Sequence, residues 1–450
     1  MVALLIAVAL TKPQVRPAEE RPNIIVVFLD DAGYGDFEHN GNPVIETPTI
    51  SRMAREGANF TQFYAASAAC TASRYSLLTG RYPKRSGFPS WVLDPGSPQH
   101  LATRETTLAE VLKAKGYATA MFGKWHLGTP NERNGQTPDA LPLAHGFDRW
   151  IGTDVSHDYD ASRLMESQGS GYRTIASGLT SQPDVCASLT ERYADAAIDF
   201  VRQNREKPFF VYLAPNMPHL GLFVSKAFAG RSRRGLLGDV MAELDHHLGR
   251  LWKTVEDLGL AKNTLVLVTS DNGPWIRFQN TASDPKYGEA RMHVGYAQPF
   301  RDGKGSSWEG GHRVPGVVYW PGTIRPGQRL DPMSTLDVLP TLAGLAGARV
   351  GPVDGRDLRS TVLTGKSPAD PFEFVYSGSD NQGWAIRQGP WKLHIRITSQ
   401  TGDSYGFAAS RETPLLFQVE QDLGERFDRS SEQPAIRDRL LKGLADWEAR

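Results

Sequence analysis

The stretch that decides the fold is "NIIVVFLDD", residues 23–31, in which an apolar run leads directly into two aspartates. An uninterrupted apolar run of this length predicts a β-strand that is buried on both faces of a parallel sheet. Similar runs occupy residues 117–125, 208–215, 264–273 and 314–322. We therefore expect these segments to form the centre of one large sheet.

Amphipathic helical patterns separate the apolar runs. They cover residues 47–57, 106–115, 189–204, 235–258 and 334–346. This alternation predicts an α/β fold in which a large mixed, mostly parallel sheet is sandwiched by helices. In such folds, ligands bind outside the carboxyl ends of the strands.

The sequence changes in character after about residue 355. Short segments typical of antiparallel strands follow at 373–379, 383–397 and 414–421, with a turn at Gly389 and Pro390. A closing helix is predicted at 433–449. We interpret residues 22–355 as a catalytic domain and residues 356–450 as a small α+β subdomain that carries an antiparallel sheet.

The first residues predict export. Val2 to Leu10 form an apolar run that is too short to span a bilayer but has the length of the hydrophobic region of a signal peptide. Residues 1–21 are thus predicted to be a signal peptide or a disordered leader. We expect a periplasmic or secreted protein of bacterial origin, without a membrane span.

Composition limits the possible functions. Lys+Arg and Asp+Glu each number 50, so the formal net charge of +0 gives no support to nucleic-acid binding. The two cysteines, Cys70 and Cys186, cannot form a disulfide framework. Cys186 is interpreted as a small packed hydrophobic residue.

Two pairs of oxygen ligands follow apolar runs. Asp30 and Asp31 end the first, and Asp271 and Asn272 lie near the end of the fourth. Carboxylate and amide oxygens without a nearby cysteine or histidine pair suit a hard divalent cation such as Ca²⁺ or Mg²⁺. Each pair alone is more typical of a turn or a helix cap; together they predict a metal site at the carboxyl edge of the sheet.

Cationic and imidazole groups are predicted beside this site. Lys124 and His126 alternate along a segment expected to be extended, so both side chains can point the same way. His219 follows another apolar run, and Lys304 lies in a glycine-rich loop. With Arg74 they would form a pocket for a tetrahedral anion, sulfate or phosphate.

These segments, in this order, resemble the formylglycine-dependent sulfatases of the alkaline phosphatase superfamily. The resemblance covers nearly the whole chain through "RPNIIVVFLDD", "CTASRYSLLTGRYP", "GYATAMFGKWHLG", "SHDYD", "PHL", "TSDNG" and "GKGSSWEGGHRVP". "SHDYD" and "GKGSSWEGG" are most similar to the branch that contains arylsulfatase A and N-acetylgalactosamine-6-sulfatase. The resemblance implies an alkaline phosphatase-like fold and a sulfatase that is matured by a formylglycine-generating enzyme.

The resemblance also implies a role for each matching residue. Cys70 would be oxidised to formylglycine (3-oxoalanine), whose hydrate is the nucleophile, and Arg74 would hold that hydrate. The implied calcium ligands are Asp30, Asp31, Cys70, Asp271 and Asn272. Sulfate would be bound by Lys124, His219, Lys304, Ser156 and His157. His219 would protonate the leaving alcohol, and His126 would act as the base that ejects sulfate.

The sequence departs from the family motif at one position. Ala72 stands where the core motif most often has proline. Because maturation enzymes read this short motif, the residue at position 72 bears on how efficiently Cys70 is oxidised. Because Arg74 and "LLTGR" (77–81) are present, we expect maturation to proceed. A phosphonate or phosphate ester hydrolase, and an unmodified protein that only binds sulfated glycans, stay open as alternatives.

The substrate is expected to be a sulfated carbohydrate or an aryl sulfate. Residues 157–182 and the loop 274–300, with Trp275, Arg277 and His293, are predicted to line sugar subsites, because aromatic and basic side chains suit sugar rings and anionic groups. The sequence does not select the sugar or the position of the sulfate.

Overall fold

The strand predicted from "NIIVVFLDD" lies in the middle of an 11-stranded sheet in the computed structural model of the chain. The structure describes residues 21–130, 138–276, 294–400 and 409–450. The predicted leader falls outside the described residues, except for Arg21.

The larger sheet accounts for most of the strands. They are β1 (Asn23–Leu29), β2 (Ala58–Tyr64), β3 (Ala118–Gly123), β4 (Arg149–Thr153), β5 (Arg163–Gln168), β6 (Gly171–Ser177), β7 (Phe209–Ala214), β8 (Thr264–Ser270), β9 (Arg313–Tyr319), β10 (Gly327–Arg329) and β11 (Met333–Ser334). Their order is β10-β2-β9-β8-β1-β7-β3-β4-β5-β6, and β11 pairs with β2.

The helices of the described residues are α1 (Pro48–Glu56), α2 (Cys70–Thr79), α3 (Leu108–Lys113), α4 (Pro183–Ala187), α5 (Leu189–Gln203), α6 (Leu236–Asp257), α7 (Glu309–His312), α8 (Val338–Leu345), α9 (Arg359–Thr364) and α10 (Pro434–Glu448). All five helical patterns predicted in the first part of the chain are confirmed, as is the closing helix. The structure adds α2, which begins at Cys70.

Strand direction confirms the predicted fold class. β1 pairs in parallel with β7 and β8, and β3 extends the parallel set from β7 to β4. β9 is antiparallel to both β8 and β2, so β2 runs in the same direction as β8. The carboxyl ends of β1, β2, β3, β4, β7 and β8 therefore meet at one edge of the sheet.

Burial on both faces explains the uninterrupted apolar pattern of β1. Ile24, Val26 and Phe28 pack into one hydrophobic core, whose cover includes Leu108 of α3 and Leu339 of α8. The intervening Ile25, Val27 and Leu29 pack into a second core on the opposite face, together with residues of α1, α5 and α6. Because alternate side chains of a strand point to opposite faces, each face requires its own apolar set.

The expectation that residues 157–182 line sugar subsites is wrong for most of that segment. Arg163–Gln168 and Gly171–Ser177 form the antiparallel hairpin β5–β6 at one edge of the sheet. Ile151 of β4 pairs with Glu166, so the hairpin tip lies toward the amino end of β4, away from the carboxyl edge. The half-exposed, polar character of an edge hairpin left no clear strand pattern in the sequence.

A separate four-stranded antiparallel sheet follows α9. Its order is β12 (Glu373–Ser377), β13 (Gly383–Gln388), β14 (Trp391–His394) and β15 (Leu415–Gln418). The predicted turn is confirmed: Gln388 pairs with Trp391, and Gly389 takes the left-handed conformation at a φ of 56° that glycine tolerates best. The division of the chain at residue 355 stays a prediction.

A buried charge cluster lies between this sheet and the larger one. The Nζ atom of Lys392 lies 3.0 Å from a carboxylate oxygen of Glu309 and 3.0 Å from one of Glu425. The hydroxyls of Tyr64 and Tyr376 donate to Glu309 at 2.5 and 2.6 Å. Burial alone would raise the pKa of Glu309, but Lys392 and neighbouring arginines hold that pKa well below its usual range.

Replacing Lys392 by methionine is expected to lower the free energy of unfolding by about 3–5 kcal/mol, because Glu309 and Glu425 would stay buried without their shared cation. Urea denaturation measures this change. Lys442→Met is the matched control, since Lys442 forms an exposed pair with Asp446 and its loss is expected to change nothing measurable. Equal midpoints for the two variants would contradict the assignment.

In the described part of the chain, no helix is both long enough and apolar enough to cross a membrane.

Candidate active site

The carboxyl edge of the larger sheet gathers the residues that the sequence singles out. Asp30 and Asp31 follow β1, Lys124 and His126 follow β3, Ser156 and His157 follow β4, His219 follows β7, and Asp271 and Asn272 follow β8. Cys70 follows β2, and Lys304 precedes α7 and β9. Because β9 is antiparallel to β8, its first residue lies at this same edge.

Cys70 is the first residue of α2, and its side chain lies at the centre of the site. Its Sγ is 3.4 Å from Oδ1 of Asp30 and 3.3 Å from Nζ of Lys304. The residue is only 1% exposed. Burial and the neighbouring Asp271 carboxylate raise the pKa of the Cys70 thiol well above its usual value. In this environment the side chain is a neutral thiol.

Arg74 holds three strand ends together. Its guanidinium lies 2.7 Å from Oδ2 of Asp271 and 3.3 Å from Oδ1 of Asp30. It also donates to the backbone carbonyl of Lys124 at 3.1 Å. The side chain is fully buried, so these contacts are shielded from solvent and fix the positions of β1, β3 and β8 relative to α2.

Two lysines approach the aspartates from different sides. Nζ of Lys124 lies 2.7 Å from Oδ2 of Asp30, and Nζ of Lys304 lies 2.8 Å from Oδ1 of Asp31. Burial lowers the pKa of each ammonium, but the paired carboxylate outweighs it and raises that pKa above the usual value. Both lysines are therefore charged and available to an anion bound next to Cys70.

His219 lies within the same group of side chains. Its Nε2 is 3.6 Å from Oδ2 of Asp31, and its Nδ1 is 4.0 Å from Oδ1 of Asp158. Its Nδ1 also contacts the carbonyl of Leu220. Burial and the charge of Lys304 lower the pKa of His219. The ring has a neutral form that can exchange a proton with a bound group.

His126 differs from the expectation of an extended segment. β3 ends at Gly123, and His126 takes a positive φ of 54°. Its backbone N–H donates to the carbonyl of Asp154, and its Nε2 contacts the carbonyl of Leu93 at 2.9 Å. Alternation along a strand therefore does not orient this ring. Because a backbone carbonyl can only accept a hydrogen bond, Nε2 carries the hydrogen, and Nδ1 keeps a lone pair that has no partner in the described residues.

Ser156 and His157 are both buried at the end of β4. His157 bonds to the carbonyl of Gly221 through Nε2 at 2.8 Å, and its ring stands edge-on to that of His219 at 5.8 Å. Burial and the charge of His219 lower the pKa of His157 to about 4. His157 is thus a neutral neighbour of His219 that holds the segment 219–221.

Three of the predicted metal ligands, Asp30, Asp31 and Cys70, lie in one group that could hold a metal ion. Ligand atoms of Asp30, Asp31, Cys70 and His219 all lie within 4.8 Å of one another. Asn272 donates through Nδ2 to Asp31 at 2.7 Å, while its buried Oδ1 lacks a hydrogen-bond partner among the described residues. An orphaned buried amide oxygen beside carboxylates is the kind of atom that Ca²⁺ binds. These residues therefore fit the predicted metal.

Repulsion between the carboxylates points to the same conclusion. Burial, followed by the charge of Asp30, raises the pKa of Asp271 to about 7. Burial alone would raise the pKa of Asp30, but the charges of Lys124, His219 and Arg74 hold that pKa well below the usual range. The carboxylates of Asp30, Asp31 and Asp271 therefore lie close enough for the first two to raise the pKa of the third, as carboxylates around a cation site do.

Aromatic residues flank the site, and the sequence analysis missed one of them, Trp91. Trp91 is 39% exposed, and its ring packs directly over Gly305, the neighbour of Lys304. The Tyr159 ring stands edge-on to that of His126 at 6.2 Å. The predicted Trp275 lies over Nζ of Lys304 at 4.8 Å from the ring centre. Arg277 and His293 lie outside the described residues. No motif marked Trp91, because only the tertiary structure brings it to Gly305.

Comparison with known proteins identifies relatives of the chain. The family model described as Sulfatase matches residues 22–348. Human arylsulfatase A (Homo sapiens) is 38% identical over 95% of this chain and 86% of its own length. Mouse N-acetylgalactosamine-6-sulfatase (Mus musculus) is 34% identical over 94% of this chain and 85% of its own length.

A solved structure shares the fold as well. Ps i-CgsB in complex with k-i-k-neocarrahexaose superimposes with a TM-score of 0.76 at 26% sequence identity, covering 95% of this chain and 93% of its own. The match extends over both sheets, since it includes nearly all residues of the chain.

Proposed function

The chain belongs to the sulfatase family and is a sulfuric ester hydrolase, and from this premise we propose that it removes sulfate from a sulfated carbohydrate by means of a modified Cys70. The observation that carries the proposal is the position of the Cys70 side chain, in contact with Lys304 and Asp30 at the centre of the cationic pocket. A sugar substrate is favoured because one similar protein is an N-acetylgalactosamine-6-sulfatase and another binds a neocarrahexaose.

Cys70 is proposed to be a precursor of the nucleophile. Oxidised to formylglycine and hydrated, residue 70 would supply an oxygen nucleophile with a second hydroxyl, which a thiol lacks. Because the Cys70 side chain is 1% exposed and begins α2, a maturation enzyme must act on it before this helix packs. The contacts of Arg74 to Asp30 and Asp271 then hold the matured residue in place.

The cations are proposed to bind the sulfate. Lys124 and Lys304 each end within 3 Å of an aspartate oxygen beside Cys70, so a sulfate next to residue 70 would receive charge from both. Donors fixed by burial stabilise developing negative charge without having to reorganise. His219, on the same side as Lys304, is placed to give a proton to the leaving alcohol.

His126 is proposed to be the base. Its Nε2–H is engaged by the carbonyl of Leu93, which leaves the lone pair of Nδ1 to accept a proton from the second hydroxyl of residue 70. The backbone of His126 is tied to Thr71, whose hydroxyl donates to its carbonyl at 2.9 Å. The ring is thereby held next to the first turn of α2.

A calcium ion is proposed to complete the site. Asp30, Asp31, residue 70, Asp271 and Asn272 would hold it, and Mg²⁺ is the less suitable ion. When bound, the cation would supply positive charge that favours ionised oxygen at residue 70 and polarises the sulfate.

Export to the periplasm or to the outside of a bacterial cell is proposed on the basis of the apolar run Val2 to Leu10.

Hydrolysis of nitrophenyl sulfate and nitrophenyl phosphate by the matured protein tests the reaction type. We expect kcat/KM for the sulfate to exceed that for the phosphate by at least about 10²-fold, because the relatives that the chain matches over most of its length are sulfatases. A higher kcat/KM for the phosphate would instead support a phosphate ester hydrolase. Absence of turnover of either by fully matured protein would support a glycan-binding protein.

A further inference from the structure

A cavity lies near the active site and has no role in the proposed reaction. Its volume is about 1070 Å³. The residues used below that line it are Asn40, Arg234, Tyr296, Phe300, Arg301 and Arg426. They come from segments far apart in sequence, which only the fold brings together.

Two segments that line the cavity also carry active-site residues. Gly35, on its lining, is four residues from Asp31, and Asp302 is two residues from Lys304. At most about 3.6 Å per residue, these separations place the lining within roughly 14 Å and 7 Å of the two site residues. The N–H of Gly35 donates to the carbonyl of Tyr296 at 2.8 Å, which joins the two walls. Both separations are shorter than an oligosaccharide of a few sugar units.

Among the residues that the structure describes, three guanidinium groups line the cavity, those of Arg234, Arg301 and Arg426, and one carboxylate, that of Asp302. The Asp302 carboxylate accepts from the backbone N–H of Gly303 at 2.8 Å and of Gln400 at 3.2 Å. Arg234 and Arg301 donate to the backbone carbonyls of Val294 at 2.9 Å and Glu425 at 3.0 Å.

The three arginines differ in their attachments. Arg234 lies over the ring of Tyr296 at 4.7 Å, and Arg301 lies over the ring of Trp308 at 3.7 Å. Arg426 is exposed, and within the residues that the structure describes its guanidinium makes no hydrogen bond or ion pair. A guanidinium in this situation retains its full capacity to bind an anion in a bidentate manner.

We propose that this cavity is an anion subsite, which binds a second sulfate or carboxylate of a sulfated oligosaccharide whose scissile sulfate lies next to residue 70. The inference rests on the proposed function, because it names the substrate class of that same site. The rings of Tyr296 and Phe300 and the amide of Asn40 supply faces and hydrogen bonds for the sugar that links the two anions. The preferred substrate is accordingly a polyanionic carbohydrate rather than a simple aryl sulfate.

Calorimetric titration of a heparin-derived tetrasaccharide into the full chain tests the subsite without requiring turnover. Arg426→Ala is expected to raise the Kd about tenfold at low salt, and Arg426→Lys is expected to give an intermediate Kd because it retains charge but not the planar fork. The salt dependence of the Kd should weaken in Arg426→Ala, which a structural effect alone would not produce. Arg439→Ala, at an exposed position of α10, is the charge-matched control.

Turnover of nitrophenyl sulfate separates this inference from the proposed function. We expect its KM to be unchanged in Arg426→Ala, since that substrate carries no second anion. An unsulfated oligosaccharide of uronic acids, as a second probe, distinguishes carboxylate from sulfate binding. The same Kd in wild type and Arg426→Ala, or no binding by wild type, would overturn the subsite. If matured wild type binds the tetrasaccharide in an Arg426-dependent manner but does not hydrolyse nitrophenyl sulfate, the proposed function is overturned and the subsite is not.

Discussion

Replacing Cys70 by alanine is expected to lower sulfate-ester hydrolysis by at least about 10⁴-fold, because the change removes the only precursor of the proposed nucleophile. The fold should persist, since Cys70 is a small residue in the first turn of α2 and a methyl group fits the same space. Turnover of nitrophenyl sulfate, measured beside the unfolding midpoint, checks both parts. Retained activity would refute the assignment.

Cys186→Ala is the matched control for this prediction. Cys186 is also buried, but its Sγ contacts the carbonyl of Leu179 in the second core, outside the site. We expect wild-type turnover from this variant, so that any loss in Cys70→Ala cannot be ascribed to removal of a thiol in general.

Mass spectrometry of the peptide that contains Cys70 shows whether sulfur has been replaced by an aldehyde oxygen. An unmodified thiol in protein produced in a host that matures sulfatases would contradict the proposed nucleophile.

Ala72→Pro restores the usual family residue, and the first turn of α2 accepts proline because its N–H groups have no partner within the helix. We expect the matured fraction to stay equal or rise in that variant.

Removal of calcium is expected to lower turnover by at least about 10³-fold, because a divalent cation typically contributes several kcal/mol to charge stabilisation in the transition state. Binding should also be visible in stability. At a free Ca²⁺ concentration of about one hundred times the Kd, the free energy of unfolding should rise by about 2.7 kcal/mol. Metal analysis, turnover and the unfolding midpoint are measured on chelated and reconstituted protein.

Two substitutions of Asn272 sharpen this test. Asn272→Leu removes the orphaned oxygen at similar volume and should abolish the calcium-dependent rise in stability. Asn272→Asp keeps an oxygen at that position and should retain the rise. Full activity in protein shown to be free of metal, or an equal calcium response in the two variants, would contradict the proposed ligand set.

The sequence alone determined the centre of the fold. Apolar runs that end in polar residues, as in β1, report burial on both faces and locate the carboxyl ends of the strands. That local information was enough to bring Asp30, Asp271, Lys124 and His219 to one edge. It also separated the antiparallel strands after residue 373, where a Gly-Pro turn follows an alternating segment.

The sequence could not determine what depends on contact between distant segments. The burial of Arg74 against Asp30 and Asp271, the shared cation Lys392 between the two sheets, and the approach of Trp91 to Gly305 leave no periodic signal. The edge hairpin β5–β6 was missed because β6 is largely exposed and has no outer neighbour, so its residues need not be apolar.

The chain thus carries two kinds of information. Local patterns determine which residues form strands and where each strand ends. Successive side chains of a strand point to opposite faces, so a strand that is buried on both faces needs an apolar residue at every position. Strand order and loop packing decide which of those ends meet, and they gather Arg234, Arg301 and Arg426 around a cavity that no sequence segment contains. The sequence alone indicated which residue types the site contains. The ion pairs between them and the proposed second anion subsite depend on the tertiary structure, because they join segments that are distant in sequence.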